Sequence, residues 1–152
     1  MTPSQFIIRR FRNDDRDAVI QLWRDCGLVV PWNDPNKDID RKLARDPDLF
    51  FVGEERGRVV ASAMGGYEGH RGWVNYLAVH PNQQRNRYGE QIMHHLEREL
   101  LALGCPKINL QIRSSNTQVI EFYAAIGYKT DDVVSMGKRL IPDGPKPTEK
   151  AT

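Results

Sequence analysis

The chain holds only two cysteines, contains no long apolar run and carries almost no net charge, and each shortage removes a class of protein. Cys26 and Cys105 lie too far apart for a metal-ligand spacing or a disulfide framework, and neither has the basic surroundings of a nucleophile. No stretch approaches the ~18 apolar residues of a spanning helix. The opening Met1-Thr2-Pro3-Ser4-Gln5 lacks the apolar core of a signal peptide. The expectation is a cytoplasmic protein with reduced thiols and no membrane association. The net charge of +2 comes from 22 basic and 20 acidic side chains that are well mixed. Nucleic-acid binding, which concentrates basic residues on one face, is not expected. Repeats and linkers are missing too, so the 152 residues read as one domain.

The apolar pattern supplies the elements. Phe6 and Ile8 alternate as a strand, and Ala18, Val19, Leu22, Trp23 and Cys26 recur at helical spacing up to Gly27. A more polar helix is expected from Lys37 to Arg45. Strands at Leu49–Glu54 and Val59–Tyr67 are joined by a hairpin turn at Glu55-Arg56-Gly57. Trp73–His80 is a strongly apolar strand closed by Pro81. Ile92, Leu96, Leu100 and Leu103 mark the buried stripe of a helix that Gly104 ends. Ile108, Leu110 and Ile112 alternate as a strand. Asn116 caps a helix carrying Val119, Ile120, Tyr123 and Ile126, with Gly127 as its stop. Tyr128–Ile141 reads as one or two closing strands, and residues 142–152 as a flexible tail beyond a domain spanning 1–141. Hairpins mixed with helical crossovers call for an α/β (α+β) sandwich on one mixed, mostly antiparallel sheet with about four helices.

Two stretches carry chemistry. Leu77-Ala78-Val79 leads through Gln83-Gln84-Arg85-Asn86-Arg87-Tyr88-Gly89 into a helix, whose N-terminus favours anions. Taken alone, that entry also reads as a solvated polar turn. Asn116, Phe122, Tyr123, Gly127 and Tyr128 form the second stretch. Together they resemble the GNAT superfamily of N-acetyltransferases, matching its Leu-x-Val, its Gln/Arg-x-x-Gly-x-Gly/Ala loop and its Asn-x5-Phe-Tyr-x3-Gly-Phe/Tyr signature. The segments Val30-Pro-Trp-Asn-Asp-Pro35 and Gly65-Gly-Tyr-Glu-Gly-His-Arg-Gly72 resemble a small bacterial single-domain subgroup.

The resemblance implies acetyl-CoA as acetyl donor and direct transfer to a primary amine, either a protein N-terminus or lysine or a small amine. It implies that backbone groups of Leu77, Ala78 and Val79 hold the acetyl carbonyl and pantetheine. Amides from Gln84, Arg85, Asn86, Arg87, Tyr88 and Gly89, with Glu90 following, would surround the pyrophosphate. Asn116 would bond the pantetheine, and Tyr123 would protonate the departing thiolate. A phenol with pKa of about 10 is protonated at neutral pH and suits that role. One departure is Arg87, which stands where the family has its first loop glycine. If the loop needs positive φ there, strain of order 1–2 kcal/mol follows. The competing reading is a non-catalytic acyl-CoA-binding or sensing module.

The amine must also lose a proton. Glu68 is the preferred base, with His70 and Asp34 as alternatives, although Glu68 and His70 read equally as turn residues. Trp32, Tyr67, Trp73 and Tyr76 are candidates to line the acceptor pocket or to pack the sheet. No metal is expected, and the oligomeric state is open, with a homodimer as one option.

Overall fold

A computed structural model of the chain describes residues 5–143. Strand β1 (Phe6–Arg10) is followed by helices α1 (Arg16–Asp25) and α2 (Pro35–Arg45). Strands β2 (Phe50–Glu55), β3 (Arg58–Tyr67) and β4 (Gly72–Val79) come next, then helix α3 (Tyr88–Ala102), strand β5 (Ile108–Asn109) and helix α4 (Thr117–Ala125). The sheet runs β1-β2-β3-β4-β5 in space. Its first four strands pair antiparallel, and β5 joins β4 parallel through Gly72↔Ile108 and Trp73↔Asn109.

Local chemistry sets the boundaries. Asp34 caps α2 by accepting from the amides of Asn36 and Lys37, and Pro35 takes the first helical position, where its missing N–H costs nothing. Arg56 (φ 53°) and Gly57 (φ 77°) are both left-handed, the geometry that matches the twist of a two-residue hairpin. At the start of α1 the Arg9 guanidinium holds the nearly buried Asp15 at 2.8 and 2.9 Å and keeps its carboxyl below the usual range.

Each sheet face carries one helical pair. Val19, Ile20, Leu22, Trp23 and Ile39 of α1 and α2 pack on Phe50, Val52, Met64 and Ala78. Ile92, Met93, Leu96 and Leu100 of α3, with Tyr123 of α4, pack on Phe51, Ala61, Ala63 and Val74. Phe50, Phe51 and Val52 are consecutive and all buried because β2 is covered on both faces.

Five expectations need correction. Ile20, not Ala18, completes the buried stripe of α1. Leu103 is 57% exposed, because it caps the end of α3 rather than extending its apolar stripe. Tyr128–Ile141 forms no strand. Val133, Val134, Met136, Leu140 and Ile141 are exposed, and β5 is two residues long, leaving little ladder for an additional strand to pair with. Strand propensity needs an edge and a face to bury, and this segment has neither. Leu110 and Ile112, expected in β5, lie beyond it yet still pack against the α3–α4 core. Of the expected tail, residues 144–152 lie outside the described part. Asp143 does not behave as tail: its carboxylate takes two bonds from Arg41 at 2.7 and 3.0 Å and is held at a pKa of about 2 by that guanidinium.

Candidate active site

The site begins with a defect in β4. Across β3 the register steps from Ser62↔Ala78 to Met64↔Asn75, so Tyr76 and Leu77 together face Ala63. Tyr76 takes up this extra residue with φ 53°. Such a conformation costs of order 1–3 kcal/mol for a residue with a side chain, and bulges of this kind re-aim the groups that follow. Without the bulge, two-residue alternation would put Tyr76 on the face occupied by Val74. Instead Tyr76 packs with the α1–α2 core, and Leu77 and Val79 pack with the α3–α4 core.

The same defect settles where the amides point. His80 donates its N–H to Val60 of β3 at 2.8 Å. Alternation along the strand then turns the amides of Val79 and Leu77 to the opposite edge, toward β5. Strand β5 has already ended: its two paired residues meet β4 only at Gly72 and Trp73. The two parallel strands therefore open into a wedge, with the Leu77–Val79 edge along one wall.

At the wide end β4 enters a turn of 3-10 helix, Pro81–Asn86, and then α3. His80 Nδ1 accepts from the Asn82 amide at 3.2 Å, and Gln84 Nε2 donates to the Val79 carbonyl at 3.1 Å. Arg87 is exposed and left-handed at φ 60°, ψ 23°, so the conditional strain at this glycine position is present. Gln91 donates to the Arg87 carbonyl at 3.1 Å, which makes Gly89 and Glu90 members of the unpaired first turn of α3. Gly89 is needed for space: an added Cβ would sit 3.0 Å from Phe122 Cζ, tighter than ordinary contact. The Tyr88 ring turns away from the wedge and stacks on Phe6, 3.9 Å between centroids and 4° from parallel.

Helix α4 supplies the facing wall. Asn116 Oδ1 caps it by accepting from Val119 N–H at 3.3 Å. Tyr123 is 6% exposed, its ring held edge-on by Phe122 and Tyr128 at 5.1 and 5.5 Å. Tyr128 in turn donates to Glu97 of α3 at 2.6 Å, anchoring the end of α4. The Tyr123 hydroxyl makes no hydrogen bond among the described residues, yet no buried side-chain polar atom there lacks a partner. Its oxygen therefore reaches open space while its ring is packed. Burial pushes this phenol well above its ordinary value, so it stays neutral.

The acceptor-side candidates divide into two groups. Glu68 and His70 lie in the β3–β4 turn with Tyr67 and Trp73. Glu68 Oε1 accepts from the amides of His70 and Arg71 at 2.6 and 2.5 Å, and Oε2 accepts from Trp73 Nε1 at 3.3 Å. These amides lower the carboxyl pKa, making it a worse base. The turn sits about five strand residues, roughly 15 Å, from Leu77. The geometry makes Glu68 a turn-closing group. Trp32, Asp34 and Tyr76 belong to the other group, on the α1–α2 side. There Tyr76 donates to Asp38 Oδ2 at 2.6 Å, and Arg113 lies 5.5 Å over the Trp32 ring. The bulge role of Tyr76 and the part of Asp38 carry no sequence signal, since a polar helix face and a strand aromatic each read as ordinary.

The site is thus a mixed sheet opened between two parallel strands, with a helix N-terminus at its mouth and a packed phenol beside it. The family model described as "Acetyltransferase (GNAT) family" matches residues 16–128. An acetyltransferase of Pectobacterium atrosepticum is 52% identical over 136 residues, covering 90% of this chain and 96% of that one. An acetyltransferase of Sodalis glossinidius is 52% identical over 137 residues, with the same 90% and 96% coverage. Among solved structures, the aminoglycoside N-acetyltransferase AAC(6')-Iy in complex with CoA superposes with a TM-score of 0.75 at 15% identity, over 92% of this chain and 98% of that one. At that identity the likeness is one of fold. The chain belongs to the GNAT family of acetyltransferases and is an N-acetyltransferase.

Proposed function

We propose that the protein moves the acetyl group of acetyl-CoA directly onto a primary amine without an acyl-enzyme stage. The observation that carries the reading is the Leu77–Val79 edge, left unpaired by β5, packed in one core with a tyrosine whose hydroxyl has no partner among the described residues. The residues fit the donor. In this reading the Val79 amide bonds the pantetheine arm and the Leu77 amide bonds the thioester carbonyl. The Gly89 and Glu90 amides, with the Gln84–Asn86 turn, surround the pyrophosphate. Asn116, whose Oδ1 caps α4, donates to pantetheine through Nδ2.

The neutral amine attacks the carbonyl carbon, and the carbonyl electron pair moves to oxygen against the Leu77 N–H, which is already aimed there. Collapse forms the amide and breaks the C–S bond, and Tyr123 hands its proton to the sulfur. The phenol and the thiolate share one apolar site, so the burial that raises the phenol also raises the proton affinity of the sulfur. The amine proton leaves through water, because Glu68 is committed to its turn, and water returns a proton to the Tyr123 phenolate. The acceptor approaches from the α1–α2 side, past the loop that carries Trp32 and Asp34. We place the reaction in the cytoplasm, where free thiols such as Cys26 and Cys105 persist. No helix among the described residues is long and apolar enough to cross a membrane.

The test is thiol release against a panel of amines, with acetyl-CoA affinity measured separately by calorimetry. Tyr123→Phe lowers turnover by about 10²-fold or more and leaves affinity within about twofold, as expected for a general acid. Equal turnover would remove Tyr123 from the mechanism. Absence of binding at millimolar acetyl-CoA would sink the whole reading.

A further inference from the structure

The bulge in β4 is held by a network that reaches three other elements. The Tyr76 ring stacks on Trp23 of α1, with centroids 3.9 Å apart and planes 15° from parallel. Trp23, fully buried, donates through Nε1 to Ser62 Oγ of β3 at 2.9 Å. Ser62, also fully buried, donates onward to the Tyr76 carbonyl at 2.9 Å. From α2, Asp38 accepts the Tyr76 hydroxyl at 2.6 Å. Tyr76 is thus fixed at its ring, its carbonyl and its hydroxyl, and the next backbone group along the chain is the Leu77 amide.

We propose that Trp23, Ser62 and Asp38 are positioning residues that act through Tyr76 to aim the Leu77 amide into the wedge. A residue with φ 53° relaxes unless its surroundings over-determine it. Relaxation here would restore strand alternation and swing the Leu77 N–H off the cleft, so the network is what keeps that donor in place. The peptide bond between Tyr76 and Leu77 makes the coupling direct: the carbonyl that Ser62 holds and the amide that faces the thioester belong to one rigid plane. Helix α2, on the acceptor side, thereby bears on the group that binds the donor carbonyl. The proposal rests on the transfer reaction described above, and its test separates the two.

Asp38→Ala removes the hydroxyl's partner from a different element, without touching β4 itself, and Asp38→Asn restores an acceptor oxygen. The expected result is about a tenfold fall in kcat for Asp38→Ala, with acetyl-CoA affinity within about twofold and Asp38→Asn close to the parent. Tyr76→Phe, which keeps the ring stack, gives the same pattern. In the ligand-free protein, the Leu77 amide resonance in a nitrogen–proton correlation spectrum moves in Asp38→Ala and returns in Asp38→Asn. Should the Leu77 resonance and kcat both stay at their parent values in Asp38→Ala, the positioning role is overturned. A parent that binds no acetyl-CoA overturns the transfer reading instead, and the Leu77 resonance of the ligand-free variants still decides the network. A variant that loses its spectrum by unfolding is replaced by Tyr76→Phe, on which the proposal stands or falls by the same two readings.

Discussion

Tyr76 and Arg87 stand at the two ends of the Leu77–Val79 edge and its loop with nearly the same φ, 53° and 60°. Their surroundings differ. Tyr76 is clasped by Trp23, Ser62 and Asp38, whereas Arg87 is exposed and no side chain caps the helix it begins. Both positions carry backbone strain in a residue with a Cβ, and only one has an apparatus to hold it. The difference follows what each end must do. Chemistry at the carbonyl needs a donor fixed to within a fraction of an ångström, while a diphosphate is held by several amides and long-range charge that tolerate small shifts. In the proposed reading, strain is therefore over-determined beside the amide that meets the thioester and merely tolerated in the loop that meets the phosphates.

Swapping the conformational demand for glycine at each end is the sharpest way to break this contrast. Tyr76→Gly accepts the positive φ freely but removes the ring and hydroxyl. Turnover falls by about 10²-fold, because a donor displaced by about an ångström loses that much. If turnover survives, the clasp is irrelevant and the two sites are alike. At the other end, Arg87→Ala keeps the strain and removes the charge. Acetyl-CoA binding weakens by up to about tenfold in calorimetry at low salt, and added salt narrows the gap, as expected for an exposed charge beside phosphates. The pH profile sharpens the contrast further. Burial raises both Tyr76 and Tyr123 above the ordinary phenol value, so each keeps its proton and its contribution below that value, losing it only as pH rises through the higher folded one. Turnover shows no alkaline decline from these groups up to pH of about 10. A fall between neutrality and that point would mean that the phenols are wetter than the structure shows. The smallest effect is Arg87→Gly, which relieves strain without touching packing. Its melting temperature rises by about 2–4 °C for about 1 kcal/mol, read by thermal unfolding.

Much of the fold was legible because its signals are local. The helix of Ile92, Leu96 and Leu100, the stops at Gly27, Gly104 and Gly127, and the cap of α4 by Asn116 all depend on spacing and backbone preference within a few residues. Tyr128–Ile141 misled for the complementary reason: its β-branched and apolar residues favour a strand, but pairing needs a partner edge, and β5 stops at Asn109. Glu68 reads as a base candidate through proximity. It lies a few residues before β4 in sequence, but its carboxylate closes a turn at the paired end of the wedge. Trp73 goes with it, donating to Glu68. Asp38 gave no signal at all, because its meaning depends on a tyrosine brought to 2.6 Å by the sheet.

The sequence alone determined one mixed-sheet domain, the helix entry after Leu77–Val79, and the Asn116–Tyr128 signature. Each of these is written in residues close along the chain, where backbone propensity and helix capping act. Tertiary structure decided the β4 bulge, the divergence of β5 and the clasp on Tyr76. Those depend on which face each strand residue takes and on contacts between residues such as Trp23, Ser62 and Tyr76, far apart in the chain. A strained aromatic in a strand is unfavourable locally, so only the packed molecule holds it there.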